Sequence, residues 1–273
     1  MLLRAARERL GLDIAYLTKF IDGHERIDLV EGDSEPFAFG ETTRIPFEET
    51  YCRRMVEGTA PNVVRDASRE PRMQDLVVAE ALGSYLGVPV LLSDGRVYGA
   101  LCCAGSDVNE ALSDDDEAYL RLLADGLASM VEQDGDASAA PSAVDGVFEL
   151  TLWFAGITRA PASARSSLAA LEPIIGADLL QSLRLVVTEL ITNSIRHAGI
   201  DERAVIGLDI RVEDGLLRCT VSDPGRGFEK PDVVRPHQDR AGGFGLVILE
   251  SVSSDWGVTR DDLFRVWFDV PVR

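Results

Sequence analysis

The period of apolar and polar positions changes several times along the chain, and each change marks an element. Leu2, Leu3, Ala6 and Leu10 share one side of a helical wheel, with Arg4, Arg7 and Glu8 opposite. This predicts an amphipathic helix over residues 1–10, ended by Gly11. Residues 13–20 alternate instead, with Ile14, Tyr16 and Thr18 against Ala15, Leu17 and Lys19, as a half-buried strand does. Asp22-Gly23 turns that strand into a partner over 26–31. Residues 48–57 set Tyr51, Met55 and Val56 inward on a short helix, 62–64 read as a brief strand, and 73–80 as a further helix. Two strands follow over 84–92 and 97–104, joined at Asp94-Gly95-Arg96. Ser113 then opens a long helix. Asp114 to Glu117 place carboxylates at the positive end of its dipole, and Tyr119, Leu120, Leu122, Leu123, Leu127 and Met130 carry it to about residue 132.

From 134 to 146 the residues are small, acidic or turn-forming, which predicts a linker. Beyond it the pattern is a strand at 148–154, a helix at 161–171 with Pro161 in its first turn, and a long helix at 177–198. The inner side of that long helix is read from Leu185, Leu190, Ile191 and Ile195. A hairpin of strands at 203–212 and 216–222 follows, then a helix at 245–253 and a strand at 264–270. The expected organisation is therefore two α+β domains, 1–133 and 147–273, around a linker at 134–146. Length and composition agree, since 273 residues with 46% hydrophobic and 27% charged content can build two cores. A formal charge of −19 disfavours nucleic acid and anionic membranes as partners. Cys52, Cys102, Cys103 and Cys219 form no C-x-x-C pair and are read as packing residues in a reducing compartment. No apolar run is long enough to span a bilayer and no signal-like start is present, so a cytoplasmic location is expected.

Three clusters suggest chemistry. Glu189, Asn193 and Arg196 stand at i, i+4 and i+7 on one flank of the long helix, an arrangement suited to a metal-bound polyphosphate. Asp223-Pro224-Gly225-Arg226-Gly227 follows an apolar strand directly, placing a carboxylate where glycines let a flat, amine-bearing ring approach the backbone. Gly242-Gly243-Phe244-Gly245-Leu246 leads into a helix, and glycines there leave backbone N–H groups free to converge on a phosphate. Each cluster alone is a common turn or helix face. Their order along one domain is what makes them specific.

That set resembles the GHKL ATPase superfamily of histidine kinases, gyrase-type ATPases and anti-sigma-factor serine kinases. The resemblance implies a GHKL-type α/β sandwich, a mixed sheet with helices on one face. It implies that Glu189 is the general base, that Asn193 binds Mg²⁺, and that Asp223 takes the adenine amine of ATP. By the same resemblance Gly225 and Gly227 floor the base pocket, and Gly243, Gly245 and Leu246 lie at the phosphates with Arg196. A short lid over 228–241 carries Lys230, Arg235, His237 and Arg240, cations that either close on the nucleotide or stay solvated, with Arg240 abutting the glycines.

The first domain resembles a GAF domain, an antiparallel sheet with flanking helices. Ile45-Pro46-Phe47, Tyr51-Cys52, Asn62-Val63-Val64-Arg65-Asp66, Leu86-Gly87-Val88-Pro89-Val90 and Gly99-Ala100-Leu101-Cys102 carry that likeness. It implies a small-molecule effector or a dimer contact, and the absence of a histidine beside Cys52 disfavours covalent bilin. No acceptor histidine lies in the helix at 113–132, which favours the serine-kinase branch acting on an antagonist or sigma-factor-like protein, as a homodimer. Two other readings stay open: an ATP-dependent sequestering module with little or no transfer, and an unorthodox histidine kinase serving a separate phosphotransfer protein.

Overall fold

The computed structural model describes residues 1–21, 23–76, 79–135, 142–144, 146–155, 159–197, 204–230 and 245–272. They divide into two units, one formed mostly by residues 1–138 and the other mostly by 139–273.

The first unit begins with α1 (Leu2–Leu10), which ends where Gly11 adopts a left-handed φ of 64° and donates its N–H back to the Arg7 carbonyl. Then come β1 (Ile14–Ile21), β2 (His24–Gly32), β3 (Arg44–Pro46), α2 (Tyr51–Val56), β4 (Val63–Val64), β5 (Ser84–Leu91), β6 (Val97–Gly105) and α3 (Asp114–Gln133). The six strands make one antiparallel sheet in the order β3-β2-β1-β6-β5-β4. At its centre β1 pairs with β6, Ile14 opposite Ala104 and Leu17 opposite Leu101.

Leu3, Ala6 and Leu10 of α1 and Leu120, Leu127 and Val131 of α3 cover one face, over Ala15, Leu17, Val88, Leu101 and Cys103. The other face carries Tyr16, Tyr85 and Cys102, with Tyr51 and Cys52 of α2 against them. A central strand covered on both sides is buried on both sides. This is why β1 is buried from Ile14 through Lys19 rather than half-buried as its alternation suggests.

Three features of this unit differ from the sequence expectation. The helix expected over 48–57 starts at Tyr51, because the Thr50 hydroxyl caps it by accepting from the Arg53 N–H at 3.3 Å. The helix expected over 73–80 is absent among the described residues, which form turns and a 3₁₀ turn at Ala79–Ala81. Met73 and Leu76 are buried three residues apart, which imitates a helical period, while the Gln74 amide donates to the Ala67 carbonyl at 2.8 Å and holds a loop. On α3 the buried stripe is Leu120, Ala124, Leu127, Ala128 and Val131, leaving Leu122 and Met130 exposed. Its start matches the expectation: the Ser113 hydroxyl accepts from the Asp116 N–H, and the Asp116 carboxylate accepts from the Ser113 N–H at 3.0 Å.

The second unit runs β7 (Ser142–Val144), β8 (Val147–Ala155), α4 (Ala160–Ser167), α5 (Glu172–Ile175), α6 (Ala177–His197), β9 (Val205–Glu213), β10 (Leu216–Asp223), α7 (Gly245–Val252), β11 (Asp255–Arg260) and β12 (Phe264–Pro271). Its sheet order is β11-β12-β10-β9-β8-β7. Every pair in it is antiparallel, where a mixed sheet was expected. Two further differences concern extent. Residues 142–144 of the expected linker form β7, which pairs with β8, and β11 lies where no strand is expected.

Leu150, Leu152, Ile206, Leu208, Cys219, Val221, Val266 and Phe268 face α4, α6 and α7 in one core. From α6 that core takes Leu180, Leu183, Val186, Val187, Leu190 and Ile191. Leu185 is 46% exposed, so the apolar stripe of α6 is displaced from the one read through Leu185.

Candidate functional site

Asp223 is the last residue of β10, at the end of an alternation that buries Leu217, Cys219 and Val221 on the helix-covered face. Its side chain is therefore delivered to that same face, and it is only 4% exposed. Burying a carboxylate is costly unless its oxygens are satisfied. Here Oδ1 accepts the Gly225 N–H at 2.8 Å and Oδ2 accepts the Ser194 hydroxyl at 2.6 Å. Both donors fix the group and leave acceptor capacity, since a carboxylate offers about four lone-pair directions. A buried acceptor held this way suits an exocyclic amine.

The Ser194 bond also sets the register of α6 against β10. With Ser194 on Asp223 and Val187, Leu190 and Ile191 in the core, the next flank of the helix carries Glu189 and Asn193, both half-buried. Neither has a hydrogen-bond partner among the described residues, so a carboxylate and an amide on one flank are available to a metal ion and a reacting hydroxyl. Arg196 lies one turn further on and is exposed. The hydroxyls of Thr188 and Thr192 bond back to the carbonyls of Arg184 at 2.6 Å and Thr188 at 2.7 Å, and so are used within the helix.

The turn after Asp223 is held from two sides. Gly225 is buried and gives its N–H to Asp223. Gly227 has a φ of +65°, and a Cβ there would sit 2.2 Å from the Phe264 ring. Only glycine fits at 227, for packing as much as for any ligand. From β11, the Arg260 guanidinium donates to the Gly225 carbonyl at 3.0 Å and also to the Arg226 carbonyl. Phe228 meets Phe264 edge to face at 5.2 Å.

The structure thus brings Glu189, Asn193 and Arg196 onto one helix and ties that helix to Asp223 and Gly225. Gly245 begins α7, and Leu246 packs partly buried against the core. Arg240 and Gly243, with Gly242, Phe244, Arg235 and His237, lie outside the described residues. Lys230, expected among the lid cations, donates to the Trp256 carbonyl and lies 4.5 Å from the Trp256 ring centroid. Two contributors were not anticipated. Ser194 stands 29 residues from its carboxylate, and Arg260 belongs to the unread strand. The one sequence signal for Ser194 was a small hydroxyl immediately after Asn193, on the side of the helix facing the core.

Residues 1–132 match the family model described as a GAF domain, and residues 157–266 match that of a histidine kinase-like ATPase domain. The chain is 31% identical over 115 residues to the anti-sigma F factor of Geobacillus thermodenitrificans (strain NG80-2), covering 38% of this chain and 77% of that protein. It is 28% identical over 127 residues to the diguanylate cyclase DgcP of Escherichia coli (strain K12), covering 45% of this chain and 36% of that protein. Among solved structures it is similar to the GAF domain of an Acinetobacter phosphoenolpyruvate-protein phosphotransferase. That match has a TM-score of 0.41 and 16% identity, over 50% of this chain and 81% of the other. No helix among the described residues is long and apolar enough to cross a membrane.

Proposed function

We propose, for a chain that belongs to the histidine kinase-like ATPase family and carries a GAF domain ahead of that ATPase, that it transfers the γ-phosphoryl group of ATP to a serine on a partner protein. The observation that carries this reading is the buried Asp223, its two oxygens held by Ser194 and Gly225, tied through α6 to the flank bearing Glu189 and Asn193. Asp223 accepts the adenine amine. Gly225 and Gly227, braced by Arg260, keep the floor of the base site flat.

Glu189 takes the proton from the attacking hydroxyl as its oxygen bonds to the γ-phosphorus and the bond to the departing ADP breaks. Asn193 is the protein ligand for Mg²⁺, which when bound neutralises phosphate charge. Arg196, Arg240, Gly243, Gly245 and Leu246 complete the phosphate end. Residues 1–133 form the sensor and 147–273 the kinase, with 134–146 between them. The GAF domain takes a small-molecule effector, and the exposed Leu122 and Met130 of α3 supply a homodimer contact. The acceptor is an antagonist or sigma-factor-like protein, met in the cytoplasm.

The test is Glu189→Ala with γ-labelled ATP and the candidate partner. Nucleotide affinity is expected to stay within about 3-fold, while transfer falls by roughly 10²–10⁴-fold, the range for removing a general base. If labelling persists at the parent rate, Glu189 is not the base. If the parent chain binds ATP and its partner but labels nothing, the domain sequesters rather than phosphorylates.

A further inference from the structure

The α2 face of the first sheet holds a cluster that the nucleotide chemistry does not use. Cys52, in the first turn of α2, and Cys102, in β6, lie with their sulfurs 3.2 Å apart, although 50 residues separate them in the chain. Both are free thiols. The Tyr85 hydroxyl is 3.4 Å from the Cys52 Sγ and 3.2 Å from the Cys102 Sγ. Gly87 makes room for that hydroxyl: a Cβ there would come 2.1 Å from it. Beside Cys52 is Glu25, 2% exposed, with Cys52, Thr50 and Thr18 lowering the carboxyl's titration against the burial that raises it. Its Oε2 is buried and has no partner among the described residues. Two thiols in contact, a phenol donating to sulfur and a buried carboxyl oxygen without a partner place the two sulfurs of a dithiol–disulfide couple side by side.

We propose that Cys52 and Cys102 are a peroxide-oxidised dithiol site, closing a reversible disulfide between α2 and β6. Cys52 is 4% exposed and Cys102 fully buried, so Cys52 meets the oxidant first. At pH values high enough for Glu25 to be ionised in the folded chain, its carboxylate takes the Cys52 thiol proton while the sulfur attacks one oxygen of hydrogen peroxide. The O–O bond breaks, and the departing hydroxide takes the proton from Glu25 and leaves as water. Cys52 is then a sulfenic acid. The Cys102 sulfur attacks the Cys52 sulfur, the S–S bond forms, the S–O bond breaks, and the leaving hydroxide carries off the Cys102 proton as a second water. Two thiols lose two electrons and one peroxide gains them. To reach a disulfide length the sulfurs approach by only about 1 Å.

Burial raises the Cys52 thiol well above its ordinary range, which keeps it protonated until an ionised Glu25 accepts the proton. The Tyr85 hydroxyl works in the opposite sense, favouring the thiolate. Cys103, the immediate neighbour of Cys102, belongs to the opposite face of the strand, packed with α1 and α3, and cannot replace it.

The experiment uses the full chain, treated with hydrogen peroxide, denatured in an alkylating agent and mapped by peptide mass. Two of the four thiols are expected to disappear, with a dithiothreitol-reversible link between the peptide containing Cys52 and the one containing Cys102 and Cys103. Cys103→Ser is expected to keep the link and Cys102→Ser to abolish it. Glu25→Gln is expected to slow its formation on the order of 10–100-fold, as loss of a proton acceptor does. Four intact thiols after peroxide, a sulfinic acid on Cys52 with Cys102 unreacted, or a link that survives Cys102→Ser would overturn the proposal. Formation at the parent rate in Glu25→Gln would overturn the role given to Glu25. The mapping on the unaltered chain and on Cys103→Ser stands whether or not the other variants fold.

Discussion

Ser194 shows how one side chain can serve both fold and site. Its hydroxyl is buried and gives its hydrogen to Asp223 Oδ2, so it positions the carboxylate without lying on the flank of Glu189 and Asn193. Ser194→Ala removes a hydrogen bond to a charged acceptor and leaves that oxygen short of a partner, at an expected cost of about 1–3 kcal/mol. Denaturant unfolding should register this, and calorimetric titration should show ATP affinity falling on the order of 10-fold, with Ser194→Thr recovering part of it. Glu25 carries a different signature. Burial raises its carboxyl above the ordinary glutamate range, so the folded chain retains a proton that the unfolded chain releases earlier as pH rises. Its contribution to stability is full below the ordinary glutamate range and is lost as pH rises through the folded value. The melting temperature of the parent should therefore fall, relative to Glu25→Gln, as pH rises upward from the ordinary glutamate range. A constant difference between the two across that window would show that Glu25 does not titrate there.

At the scale of elements, α3 is stabilised at its start by the reciprocal bonds of Ser113 and Asp116, with Asp114, Asp115 and Glu117 in the same first turn. Ser113→Ala should cost about 1 kcal/mol, read from urea unfolding of the parent and the variant. This cap was readable in the sequence because all its parts are near neighbours in the chain. The same holds for the αL end of α1, the hairpin turn at Gly23 and the apolar alternation of β9 and β10. What the sequence concealed was set by distant neighbours. The alternation of β1 reads as half-buried until two layers close over it. Met73 and Leu76 have helical spacing but are buried from a loop. β11 offers only Trp256 and Val258 around Gly257. A Cβ at Gly257 would lie 2.7 Å from the ring of Trp267, a constraint visible only once β12 is paired. The site divides the same way. Glu189, Asn193 and Asp223 stand out by local spacing, whereas Ser194 and Arg260 gain meaning only when α6 and β11 reach the turn after β10.

For the molecule as a whole, two separate cores predict two separable unfolding events. Calorimetry of the full chain should resolve two transitions. A ligand that binds only the folded form stabilises by RT ln(1 + [L]/Kd), about 2.7 kcal/mol at a hundred times Kd. Mg-ATP should therefore raise only the transition that Ser194→Ala lowers, and leave unchanged the one that Ser113→Ala lowers. A single transition moved by both variants would show that the cores unfold as one.

The place of β1 at the centre of its sheet has a consequence for how the protein is made. The strand leaves the ribosome well ahead of β6, its partner on one side, which lies about 90 residues later, with Ile14 opposite Ala104. At typical rates of synthesis that partner arrives on the order of 5–20 s afterwards. During that interval the nascent chain can pair β1 with β2 alone, with the other edge of an apolar strand open to passing chains. Slow translation between residues 32 and 97 would lengthen that exposure, so the yield of soluble protein should depend more on codon speed in that window than on codon speed across the second unit.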